Sequence, residues 1–89
     1  MSERLPGAEL IEAGLADLEA GRETIAALLV SIGAPRLRAL GLAVGRGFER
    51  PEHRLYERLA ADDPGSAHAR YNAYLDRLVS FERAAACVR

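Results

Sequence analysis

The feature that most constrains the fold is an apolar repeat in the last quarter of the chain. Its members are separated alternately by four and three residues: Ala67, Tyr71, Tyr74, Leu78, Phe81, Ala85 and Val88. This spacing places them on one face of an α-helix over three heptads, which is typical of a helix that packs along most of its length. We therefore expect a terminal helix over residues 65–86, about 33 Å long at 1.5 Å per residue.

The composition of the whole chain also favours helices. Among its 89 residues are 17 alanines, whereas β-branched residues are sparse. Hydrophobic residues make up 49% and charged residues 28%, which is enough apolar material to fill one core. We therefore predict a single all-α domain over residues 1–89, a compact bundle of four or five helices with a long C-terminal helix.

The first helix is expected at about residues 7–20, where apolar residues recur at helical spacing. Gly14 lies in its interior, where a glycine costs about 1 kcal/mol relative to alanine. Two explanations stay open: another part of the chain approaches closely at Gly14, or the helix merely tolerates the glycine.

Between the first helix and the central loop, the chain carries signals for two shorter helices. Thr24 can cap a helix that Gly33 ends, and Pro35 can begin another that ends at Gly41. A loop is expected over residues 42–50.

A further short helix is expected to begin at Pro51 and to continue until the sequence Asp62-Asp63-Pro64-Gly65 breaks it. We expect the first, second and last helices to make the core, with the two short helices packed across their ends.

The stretch 24–41 also permits a helix-turn-helix interpretation, in which Arg36 and Arg38 contact the phosphates of DNA. The second helix of that motif would offer apolar Leu37 and Leu40 where base-reading side chains are expected. DNA binding is therefore the alternative function and not the main prediction.

Charge is distributed unevenly along the chain. The net charge is −1, but residues 1–35 carry −4 and residues 36–61 carry +3. All 12 basic residues are arginine, whose guanidinium group can bind a carboxylate or a phosphate through two hydrogen bonds. The two segments can attract each other within one subunit or between two subunits, whereas the small overall charge makes nucleic acid an unlikely partner.

Cellular location follows from features that the sequence lacks. Cys87 is the one cysteine, so no internal disulfide can form, and the N-terminus has neither the basic nor the apolar segment of a secretion signal. The longest stretch without charge, residues 24–35, is too short for a membrane span. We expect a cytoplasmic protein without a membrane segment.

Polar residues that could carry chemistry form no established motif. His53 can be grouped with Glu49 and Glu57, but neither this set nor its counterpart around the second histidine has a known metal-ligand spacing. That counterpart consists of His68, Asp62 and Asp63, with Ser66 beside it as a candidate nucleophile that is better explained as a helix cap. We predict no metal, no cofactor and no catalytic residue.

Arg46 and, seven residues later, His53 resemble the Arg-to-His signature of HEPN-type ribonucleases, which are helical and often small. The resemblance implies that Arg46 steadies a phosphate and that His53 acts as an acid or base in RNA cleavage. The chain departs from the family pattern, because Gly47 follows the arginine and Pro51 interrupts the helix. A HEPN-like ribonuclease is therefore a lesser alternative.

Three segments carry a second resemblance: GLADL at 14–18, LLVSIGAPRL at 28–37 and LVSFER at 78–83. They resemble small uncharacterised bacterial all-α proteins of the kind encoded beside nucleotidyltransferase-like proteins, as two-gene partner modules are. The resemblance implies a protein partner and no reaction.

These observations predict a non-enzymatic helical module for protein–protein interaction, either homodimeric or the partner of a nucleotidyltransferase-like protein. The expected interface is the apolar face of the last helix, through Tyr71, Tyr74, Leu78 and Phe81, since tyrosine rings bury well while their hydroxyl groups stay hydrated. The alternative is that these four residues fill the protein's own core.

Overall fold

The computed structural model describes residues 5–88, and these form four α-helices. The helices are α1 (Ala8–Glu19), α2 (Ile25–Ala39), α3 (Pro51–Asp62) and α4 (Ala67–Cys87). The predicted all-α class and the long C-terminal helix are confirmed. As predicted, α3 begins at Pro51, and its last residue, Asp62, is the first residue of the predicted helix-breaking segment 62–65.

The central helix is α2, against which the other three helices pack. Six consecutive residues of α2, 26–31, are buried, which requires neighbours on every side of this segment. The prediction that the helix beginning at Pro51 packs only across the ends of the core is wrong. This helix, α3, contributes Leu55 and Leu59 to the core, and both are 0% exposed. The long helix α4 packs on α2 and α3, whereas α1 packs chiefly on α2.

Where two short helices were expected, α2 is continuous. Gly33 does not end a helix: a Cβ atom there would lie 2.8 Å from Cδ1 of Leu78, so the missing side chain lets α4 approach α2. Pro35 stands inside the helix, although it supplies no backbone N–H. Ala34 and Leu37 on either side of it are buried in the common core, and their burial keeps the chain helical.

Gly14 marks the closest packing between α1 and α2. A Cβ atom there would overlap the backbone carbonyl of Ala26 and would lie 2.5 Å from Cγ2 of Val30. Of the two explanations for this glycine, the structure supports the close approach.

A hydrogen-bonded network around Asp17 joins the end of α1 to the start of α2. Arg22 donates two hydrogen bonds to Oδ1 of Asp17, at 3.1 and 2.9 Å, and the Thr24 hydroxyl donates to Oδ2 at 2.8 Å. The same hydroxyl oxygen accepts from the Ala27 N–H at 3.1 Å, so Thr24 caps α2 as predicted. The hydrogen bonds from Thr24 and Arg22 lower the pKa of the Asp17 carboxyl group.

The loop between α2 and α3 is held against α2 by two polar side chains. The Ser31 hydroxyl donates to the Ala27 carbonyl at 2.9 Å, and its oxygen accepts from the Phe48 N–H at 3.1 Å. Arg38 donates to the carbonyls of Val44 at 3.2 Å and Gly45 at 2.7 Å. These bonds fix the loop that leads into α3.

We predict that Gly14→Ala destabilises the protein by about 1–3 kcal/mol, because the added methyl group forces α1 away from α2, despite alanine's better helix propensity. Gly45→Ala is the matched control, since a Cβ atom at Gly45 meets nothing within 4 Å. Urea unfolding of both variants measures the difference. Equal stability of Gly14→Ala and the unmodified protein would show that the helices are not in close contact there.

Candidate interaction surface

The four predicted interface residues divide into two pairs. Leu78 is 4% exposed and Phe81 is 7% exposed, so the protein's own core covers both side chains. Tyr71 and Tyr74 are half-buried at the edge of that core. The face of α4 that carries the heptad repeat is therefore largely occupied by α2 and α3, and a partner can contact the two tyrosines more readily than Leu78 or Phe81.

The two tyrosines are held in place by polar and aromatic neighbours. The Tyr71 ring packs edge-on against Tyr56 of α3, with ring centroids 5.5 Å apart and planes at 63°. Burial, with a smaller effect from the negative charge of Glu52, raises the pKa of the Tyr71 hydroxyl group. Tyr74 lies beside Arg70, whose guanidinium group donates to Asp62 at 2.7 Å. The aromatic edge of α4 is thus part of a fixed contact with α3.

A second row of residues runs along α4 beside the buried face, and we call it the α4 flank. Asn72, Val79 and Ala86 recur every seven residues and are exposed, with half-buried Leu75 between the first two. Val79 is 40% exposed and is the large hydrophobic residue within α4 that solvent reaches most. Two exposed charged residues, Asp76 and Arg83, border this row on its solvent side.

An open groove of about 920 Å³ lies along α3. It is lined by Glu23, Glu49, Arg50, His53, Arg54, Glu57, Arg58 and Ala61. Its arginines and glutamates are equal in number, and one pair is joined across the groove, where Arg54 donates to Glu23 at 2.6 Å. The mixed charge gives the groove no preference for an anion or a cation.

The groove brings together His53 and the two glutamates that the sequence groups with it. Glu49, His53 and Glu57 all line it, and Nε2 of His53 lies 3.2 Å from Oε1 of Glu57. Nevertheless, no three His, Cys, Asp or Glu side chains within residues 5–88 are placed to hold a metal ion. Arg46 is exposed in the loop and is not among the residues lining the groove, so the HEPN-like pair does not share this site.

The second cluster, around His68, is divided among separate contacts. The Ser66 hydroxyl donates to Oδ2 of Asp63 at 2.9 Å within the turn before α4. Asp62 pairs with Arg70, and His68 lies 3.3 Å from the side-chain amide of Asn72. Ser66, His68 and Asp63 therefore do not form a chain of hydrogen bonds from nucleophile to base to acid.

The structure contradicts the helix-turn-helix interpretation, because no turn divides the segment into two helices. Residues 33–35 are helical, so Arg36 and Arg38 lie on the last turns of a helix that began at Ile25. Arg38 donates hydrogen bonds to the carbonyls of the following loop.

Cys87 is exposed at the end of α4.

Glu82 lies half-buried where α4 meets α2, and one of its carboxylate oxygens would lie 3.1 Å from a Cβ atom at Gly33. Burial raises the pKa of this carboxyl group, and the positive charge of Arg36 opposes the increase. At helical spacing, Glu82 lies on the surface of α4 between the buried face and the flank.

No helix within the described part of the chain is long and apolar enough to cross a membrane. No known protein family, curated protein or solved structure matches this chain.

We predict that Glu82→Gln raises the melting temperature at neutral pH, and that the increase diminishes as the pH falls. Because the folded state binds this proton more tightly than the unfolded state, Glu82 favours folding below its ordinary pKa, and the contribution is lost as the pH rises through the raised pKa. Thermal unfolding from neutral to acidic pH measures the trend, with Glu19→Gln, at an exposed position on α1, as the control. An increase that is constant with pH would contradict the assignment.

Proposed function

We propose that this chain is a non-enzymatic module for protein–protein interaction and that the α4 flank is its contact surface. The observation that carries the proposal is the exposure of Val79 on an otherwise well-packed helix. Burial of a valine, leucine or similar side chain stabilises a complex by about 1.5–3 kcal/mol relative to leaving it in water. A partner that covers Val79, together with Leu75 and Ala86, gains that stabilisation along three turns of one helix.

The flank is held on a rigid support. Leu78, Phe81 and Ala85 anchor the adjoining face of α4 in the core, and none of them is available to move outward without loss of packing. A surface that is already ordered loses little conformational entropy on binding, so more of the contact energy remains as affinity. The C-terminal half of α4 therefore suits recognition by another helix.

The arrangement of side chains also matches that of known interfaces. Apolar residues lie at the centre of the flank, and Asp76 and Arg83 lie at its border, which corresponds to an apolar centre with a polar rim. The half-buried ring of Tyr71 extends the surface towards α3. The partner is either a second copy of the chain or a different protein, such as the nucleotidyltransferase-like protein that the sequence resemblance implies.

We predict that a photoreactive phenylalanine analogue at position 79 forms a covalent adduct with a protein when cells that naturally produce the chain are irradiated. The same analogue at position 77 is the control, since Arg77 is exposed on α4 but lies about 160° around the helix from Val79. Gel mobility and mass spectrometry identify the adduct. If position 79 gives no adduct, or if both positions give the same products in equal yield, the flank is not the contact surface.

A further inference from the structure

We propose that the occupant of the α4 flank is a second copy of this chain, bound with its α4 antiparallel and with the two-fold axis between Val79 and Ser80. This inference rests on the proposed function, because it uses the same surface. The placement of charge along the flank points to a second copy. When a copy of the helix is laid alongside in the opposite direction, each charged residue of one helix faces a residue of opposite charge on the other.

Two exposed charged residues, Asp76 and Arg83, border the flank on its solvent side. They are seven residues apart, nearly two full turns, so both project from the same side of α4. Both are exposed, and neither forms an ion pair with any other residue among those at positions 5–88. They stand three residues before and four residues after Val79, the exposed apolar residue between them.

An antiparallel copy brings these charges together in opposite pairs. With the axis between Val79 and Ser80, position 76 of one copy faces position 83 of the other, and the relation is reciprocal. Two equivalent Asp76–Arg83 pairs then enclose the two copies of Val79, so that one patch serves as both halves of the interface, as two-fold symmetry requires. A parallel pair in register would place Asp76 near Asp76 and Arg83 near Arg83, and this repulsion selects the antiparallel orientation.

The side chains that lie beyond the two pairs, towards each end of the contact, allow close packing of the helices. Asn72 of one copy lies near Ala86 of the other, and Leu75 lies beside the aliphatic stem of Arg83. The contact involves about three turns of each helix. It therefore buries less surface than the roughly 1,200–2,000 Å² of a standard interface. The dimer is therefore weak, depends on protein concentration, and loosens as salt screens the two exposed pairs.

The decisive experiment is a charge reversal in the full-length chain, with the dimer dissociation constant measured by sedimentation equilibrium. Asp76→Arg alone and Arg83→Asp alone should each raise the dissociation constant at least about fivefold, because each change replaces two attractive pairs with two repulsive ones. The double variant Asp76→Arg with Arg83→Asp restores both attractive pairs and should return the constant to near the wild-type value. Arg77→Asp, on the opposite side of α4, is the control and should leave it unchanged.

The results separate this inference from the proposed function. A wild-type chain that stays monomeric at every concentration, or a double variant that binds no better than the single variants, overturns the antiparallel dimer. If position 79 still forms an adduct with a different protein, the flank remains an interaction surface and only its occupant changes. Circular dichroism of each variant verifies that α4 is intact, so that a lost dimer is not a lost fold.

Discussion

The structure depends on how closely two helices can approach α2. Gly14 of α1 lies against the Ala26 carbonyl, and Gly33 of α2 lies against the Leu78 side chain. Side chains at either point would separate the helices and would forfeit the dispersion contacts that a dense core provides. With both glycines in place, a chain of 89 residues buries α2 along most of its length and obtains one continuous core.

The polar residues around α2 serve the same packing. Thr24 and Asp17 fix the turn before it, whereas Ser31 and Arg38 hold the loop that follows it. A buried or half-buried hydroxyl group must find partners, and Ser31 finds one acceptor and one donor within the protein. Arg38, for which the sequence alone permits a contact with DNA phosphates, therefore has a structural role.

The sequence alone predicts those helix boundaries at which the local start or capping signal agrees with the packing of the folded chain. Pro51 begins a helix and Thr24 caps one, because each signal lies where the chain also changes direction. At Gly33 and Pro35 the same kind of local signal is misleading, because the burial of Ala34 and Leu37 outweighs the low helix propensity of glycine and proline. Only the packed structure reveals that Gly33 provides room for a neighbour.

The heptad repeat of α4 predicts its length well but does not identify what it packs against. A repeat that places Leu78 and Phe81 on one face has the same spacing whether the neighbour is α2 or another protein. The exposed row beginning at Asn72 is offset by one residue from that beginning at Tyr71, so one sequence pattern contains two adjacent faces. The structure separates them by showing Leu78 covered and Val79 exposed.

In the proposed dimer, this division between the two faces of α4 gives the covered face to the fold and the flank to association. Large side chains fill the covered face, and their burial stabilises the fold without any partner. The flank offers one exposed valine with smaller neighbours, too little apolar surface to drive indiscriminate association. Exposed charges add little affinity, yet in the proposed dimer Asp76 and Arg83 would favour the antiparallel orientation, because the parallel one brings like charges together. The covered face of α4 thus stabilises the fold, and the charges beside the flank would set the direction of the proposed pairing.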